Sequence, residues 1–191
     1  MEDLDKIAKE IEKCTLCELC IKRTKTVPGD GNPHSKIVIL GEAPGKNEDI
    51  QGKPFVGMSG KFLNKYLEKA GIERKEVFIT NAVKCRPPNN RKPRHEEIEK
   101  CSQYLSRQLE VIKPRIILAL GTSAASSLGI KFKHLSDIKS KVIKVKISER
   151  EFQCFVTFHP SFPMRFPKAR EPFLNDIKSC INIYNNLSTT Q

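Results

Sequence analysis

Residues 36–60 read KIVILGEAPGKNEDIQGKPFVGMSG. The consecutive apolar residues Ile37, Val38, Ile39 and Leu40 suit a short strand buried on both faces, the kind found inside a parallel sheet. The next segment is of opposite character: residues 41–60 hold five glycines, two prolines and three carboxylates. Glycines let a backbone come close to a ligand, so a strand ending in such a loop predicts a site at its carboxyl end. The loop is not a phosphate-binding P-loop, because the pair Gly60-Lys61 would require glycine at Phe55 and Ser or Thr at Phe62. It does not match a dinucleotide fingerprint either.

Three further runs behave like the first: residues 77–82 (VFITNA), 115–120 (RIILAL) and 152–158 (FQCFVTF). Helical patterns occupy residues 60–70, 94–112, 123–128 and 172–186, and a short amphipathic helix over residues 5–19 sets Ile7, Ile11 and Leu19 among charges. This alternation predicts an α/β fold, a central four-stranded parallel sheet flanked by helices on both faces, as a single domain over residues 1–191. Residues 142–147 alternate apolar with basic side chains and are expected as an edge strand, and the closing NLSTTQ is expected to fray. Ligands of open α/β sheets bind beyond the carboxyl ends of the strands. The segments GEAPG at 41–45, Asn81 with Cys85, GTS at 121–123 and HPS at 159–161 should therefore meet in one crevice.

The chain carries 34 Lys plus Arg against 22 Asp plus Glu, a formal charge of +12. That favours a polyanionic partner, nucleic acid first, because neutralised phosphates release counterions; acidic membranes and simple solubility are the other uses of such a surface. No window approaches the roughly 18 apolar residues of a membrane span, and the charged start MEDLDKIAKEIEKC is unlike a signal peptide. A cytoplasmic protein without membrane contact, acting as a monomer, is expected.

Seven cysteines in a reducing compartment point to a metal site rather than a disulphide framework, with iron and zinc both open. Cys14 and Cys17 form CxxC, while Cys85 and Cys101 have fifteen residues between them. A zinc knuckle would close its second pair more tightly, and four thiolates from distant segments suit a cubane cluster. Cys20 extends the first motif to CxxCxxC and competes as a ligand, though it reads with Cys154 and Cys180 as a non-ligand; Cys154, inside an apolar strand, reads as core. His159, at the end of the last core run, is placed to donate a hydrogen bond to a developing anion. His34, His95 and His134 lie in polar contexts and read as solvated.

GEAPGKNEDIQGKPFVGMSG, TNAVKCRPPNNR, HPS followed by Arg165, and the cysteines at 14, 17, 85 and 101 together resemble the family 4 uracil-DNA glycosylases, iron-sulphur enzymes common in thermophiles. The resemblance spans roughly residues 11–186. It implies a monofunctional hydrolase of base excision repair acting on uracil-containing DNA, single- or double-stranded, with a 4Fe-4S cluster on Cys14, Cys17, Cys85 and Cys101. It implies that Phe55 stacks on the flipped base, that Asn81 reads it, and that His159 donates to uracil O2. Gly41, Glu42 and Ala43 fall in the block where the best-known uracil glycosylases carry GQDPY, and Ala43 replaces its aspartate. Glu42 and Asn90 become the candidates for positioning water, and Glu48 for excluding thymine's methyl group or stabilising the cationic sugar. Ser161, Phe162, Pro163, Met164 and Arg165 resemble a loop that enters the minor groove, with apolar wedges and a phosphate contact. A wider base preference, a non-catalytic iron-sulphur module and a zinc-stabilised nucleic-acid binder are the competing readings.

Overall fold

The computed structural model describes residues 3–188. The strands are β1 (Asp30–Gly31), β2 (Ile37–Gly41), β3 (Phe78–Asn81), β4 (Ile116–Leu120), β5 (Val142–Ile147) and β6 (Arg150–Thr157). The helices are α1 (Leu4–Glu12), α2 (Leu19–Lys22), α3 (Lys46–Gln51), α4 (Met58–Lys69), α5 (His95–Ile112), α6 (Thr122–Ser127), α7 (Leu135–Ile138), α8 (Ser161–Arg165) and α9 (Arg170–Ser188). Among the described residues the strands form one six-stranded sheet in the order β1-β3-β2-β4-β6-β5. The four inner strands are parallel, as the four apolar runs predict. The two edge strands are antiparallel additions. β5 matches the expected edge, whereas β1, two residues inside the breaker-rich VPGDGNP segment, carries no periodic signal.

Alternation along the inner strands builds two cores. Ile116, Leu118 and Leu120 of β4 face Leu63 and Leu67 of α4 and Phe173 and Ile177 of α9. Ile117 and Ala119 face Leu105, Leu109 and Ile112 of α5 with Ala124 and Ala125 of α6. Cys154 belongs to the second core and Cys180 to the first, both fully enclosed. Outside the second layer, Ile7 and Ile11 of α1 pack on Tyr104 of α5.

Several expectations are corrected. The helix over residues 5–19 is two helices, because the chain leaves helical hydrogen bonding after Lys13 and turns through the CxxC before α2. The glycine-rich loop contains α3, whose polar sequence KNEDIQ has no apolar period to reveal it. The C-terminal helix continues through Asn186 and Leu187 to Ser188, so the expected fraying does not begin there; residues 189–191 lie outside the described residues. Among the described residues no helix is long and apolar enough to cross a membrane.

Candidate active site and a cysteine-lined cavity

β2 and β3 end side by side, with Gly41 in register with Asn81. A Cβ on Gly41 would collide with Asn81 Oδ1 and reach within 2.6 Å of the Phe55 ring, so the two side chains meet only across a glycine. Asn81 is 1% exposed, and its Oδ1 has no hydrogen-bond partner. Burying such an atom unpaired costs about 1–3 kcal/mol, which marks it as an acceptor held for something that binds.

Phe55 is 6% exposed, and its ring centroid lies 6.0 Å from that of His159 at an interplanar angle of 33°. Its backbone is left-handed, with φ +52°, an uncommon state for a bulky residue. The surroundings hold it there. Arg74 Nη1 donates to the Phe55 carbonyl (3.3 Å) and Nη2 to the Pro54 carbonyl (2.6 Å). Gly60 leaves room for the Phe55 carbonyl, which any Cβ there would overlap. The Glu48 carboxylate accepts the backbone N–H groups of Gly45 (3.1 Å), Val56 (2.9 Å) and Gly57 (2.7 Å). In this structure Glu48 is therefore the clasp that closes the glycine-rich loop.

His159 lies two residues beyond the end of β6 and is half-buried. Its Nδ1 accepts the Ser161 backbone N–H (3.3 Å) and lies 2.8 Å from Ser161 Oγ. A neutral ring whose Nδ1 accepts carries its proton on Nε2, so Nε2–H is the donor the ring can offer. Burial pushes the His159 pKa below its ordinary value, against the opposing pull of the nearby Glu42 carboxylate. Glu42, the first residue after β2, accepts the hydroxyl proton of the buried Ser123 in α6. Phe55, Asn81, His159 and Glu42, scattered through more than a hundred residues of sequence, thus share one rim.

Other expected site residues lie elsewhere. Asn90 is exposed and its carboxamide oxygen accepts from Arg86 Nε (2.7 Å). Ala43 packs towards Leu19, Val83 and Cys85, on the cysteine side of the rim. Pro163 is buried and so is not available as a wedge, and Met164 is half-buried. Phe162, 42% exposed, stacks on Phe158 at 4.6 Å and neighbours Phe166 at 4.8 Å. Ser161 and Arg165 are exposed beside them. His34, His95 and His134 are exposed, as read from the sequence.

The cysteines meet between α1, α2, α5 and the segment after β3. Cys14, Cys17, Cys20, Cys85 and Cys101 line one cavity whose walls include Leu19, Val83 and Tyr104. Cys20 is thus at the cavity, not apart from it. Arg23 Nη1 donates to Cys85 Sγ (3.2 Å). Burial raises the pKa of Cys17 and Cys85 and pushes that of Cys101 up to about 11, so none is a ready nucleophile as a bare thiol. Among the described residues no three His, Cys, Asp or Glu side chains are grouped as ligands of a single ion.

Four contributors escaped the sequence reading: Ser123, Arg74, Arg23 and Lys84. Ser123 and Lys84 lie inside segments singled out for position, GTS and TNAVKC. Arg74 and Arg23 carry no sequence signal, since their partners, backbone carbonyls with Asn64 and Asp30 for the first and a backbone carbonyl with a thiol for the second, are brought near by folding.

Residues 28–179 match the family model of the uracil DNA glycosylase superfamily. The chain is similar to the type-4 uracil-DNA glycosylase of Archaeoglobus fulgidus, 44% identical over 93% of this chain and 92% of that one. It resembles the type-4 enzymes of Saccharolobus solfataricus, 44% identical over 93% and 85% of the two chains, and of Thermotoga maritima, 40% identical over 86% and 84%.

Proposed function

The chain belongs to the uracil DNA glycosylase superfamily, among its type-4 members, and from that premise we propose that it hydrolyses the N-glycosidic bond of deoxyuridine in DNA. It is a DNA-repair enzyme that releases free uracil and leaves an abasic site. The observation that carries the assignment of residues is the buried, unpartnered Asn81 Oδ1 beside Phe55 and His159.

The chemistry follows from what each group can give. The flipped base stacks on Phe55. The Asn81 carboxamide accepts from uracil N3–H and donates to O4, a pattern that cytosine reverses. As the C1′–N1 bond breaks, its electron pair passes into the base and charge grows on O2, where Nε2–H of His159 donates. Water adds to C1′ of the oxocarbenium-like sugar and loses its proton to Glu42, whose carboxylate Ser123 orients. No lyase step is needed. Of the two candidates for holding water, Glu42 is favoured over Asn90 because it faces His159 while Asn90 is committed to Arg86. Ser161, Phe162 and Arg165, with the half-buried Met164 beside them, form the face offered to the DNA strand.

Cys14, Cys17, Cys85 and Cys101 would hold a 4Fe-4S cluster, and the donor set suits it: sulphur ligands, apolar walls and a guanidinium on one sulphur. A cubane offers one iron to each of four cysteines, so its ligands ring a cavity instead of converging on a point. When bound, the cluster supplies a cross-link between the N-terminal segment, Cys85 after β3 and Cys101 on α5. The enzyme works as one domain and one chain, in a reducing cytoplasm consistent with its seven unpaired cysteines.

Incubation with a uracil-containing oligonucleotide, followed by alkali to cleave abasic sites, tests the reading. Strand cleavage dependent on uracil, and lost in Asn81→Ala, is expected; equal cleavage by that variant removes Asn81 from the mechanism.

A further inference from the structure

Lys84 heads the fully buried side chains in volume, at 1% exposure. Lysine is almost never enclosed unless it is paired, yet no carboxylate among the described residues forms an ion pair with it. Its Nζ donates instead to Thr80 Oγ1 (2.7 Å) and to the Asn81 carbonyl (2.8 Å). The Thr80 hydroxyl spends its own proton on the Pro28 carbonyl (2.8 Å), leaving its oxygen as the acceptor. At the other end of the residue, the Lys84 carbonyl accepts from Val27 N–H (2.8 Å). Lys84 is also part of the wall of the cysteine-lined cavity.

Both acceptors belong to the last two residues of β3, and one is the backbone carbonyl of the residue whose carboxamide oxygen is left unpaired at the rim. Fixing that carbonyl fixes the peptide plane after Asn81 and with it the direction in which the carboxamide leaves the chain. We propose that Lys84 is a positioning residue for base recognition, bracing Asn81 against the cysteine-lined wall. The proposal rests on the reading of Asn81 as the group that contacts the base.

The test compares wild type, Lys84→Met and Thr80→Val, the last removing one acceptor while keeping the lysine. Single-turnover excision from deoxyuridine DNA is measured with affinity for two non-cleaved probes. One carries 2′-fluorodeoxyuridine; the other carries a tetrahydrofuran abasic analogue, which has no base to read. Lys84→Met should lose about 10- to 100-fold in excision, the scale of a misplaced reacting group. It should also lose preference for the fluorinated probe while binding the abasic probe like wild type, and Thr80→Val should shift the same way by less. Unaltered excision and preference in both variants overturn the proposal, as does an equal loss on both probes in step with a lowered melting temperature. Wild-type protein that excises no uracil overturns the underlying reading of Asn81 and takes the role of Lys84 with it, an outcome distinct from the other two.

Discussion

At the carboxyl rim of the sheet, the Asn81 carboxamide is buried with its oxygen unpaired; around the cysteine-lined cavity, soft sulphur atoms sit in apolar walls, and burial raises the thiol pKa of Cys17, Cys85 and Cys101. The rim is assembled from four strand ends, each contributing a side chain or two to a small space. The cavity draws on α1, α2, α5, the CxxC loop and the segment after β3, and a cluster bound there would fasten those parts together. Groups at the rim are held rigid so that they act on something else, whereas groups at the cavity act on the protein itself. Damage should therefore appear as lost chemistry at the first and lost stability at the second.

The largest effect expected is the crossed one. His159→Ala should lower single-turnover excision by about 10²–10³-fold, the usual loss on removing one donor to a developing anion, with little change in melting temperature because the ring is only half-buried. Cys101→Ala should do the reverse, lowering iron content and melting temperature while correctly folded, loaded molecules excise within about tenfold of wild type. If His159→Ala destabilises as much as Cys101→Ala, the division of labour between the two regions fails.

A smaller effect distinguishes two roles for Glu48. As the clasp for three backbone N–H groups, its replacement in Glu48→Gln should cost about 1.5–3 kcal/mol of stability, the range for hydrogen bonds to a charged acceptor. Denaturant unfolding measures it, and KM should rise as the Phe55 loop loosens. A fall in kcat at unchanged stability would instead make Glu48 a participant in the reaction.

The smallest effect is on titration. Because burial depresses the His159 pKa, the unfolded chain binds that proton more readily than the folded one. The associated stability is present above the unfolded value of about 6.5, and is lost as pH falls from there through the folded value. Glu42 opposes the depression, so Glu42→Gln should move the His159 midpoint further down when followed by imidazole NMR. An upward move would mean that Glu42 does not face the ring.

Much of this was legible in the sequence, for reasons that differ by residue. The run from Ile37 to Leu40 announced a doubly buried strand, and all four residues are enclosed. The residues after each core run announced the rim, since an open parallel sheet leaves its strand ends nowhere else to deliver side chains. The clasp of Glu48 and the grip of Arg74 were illegible: each joins a side chain to backbone groups several to twenty residues away, and no residue type at the receiving end signals it. Pro163 misled because an apolar residue in a basic loop reads equally as a wedge for DNA or a plug for the core, and the fold chose the second.

The left-handed backbone of Phe55 is a strain that the burial of its ring outweighs. Glycine there would relax the chain by about 1 kcal/mol, yet would empty the space of an aromatic side chain, a loss of about 3–5 kcal/mol in a packed interior. An engineer seeking a hardier variant gains nothing by easing this position, because the ring assigned to the base also plugs the first core.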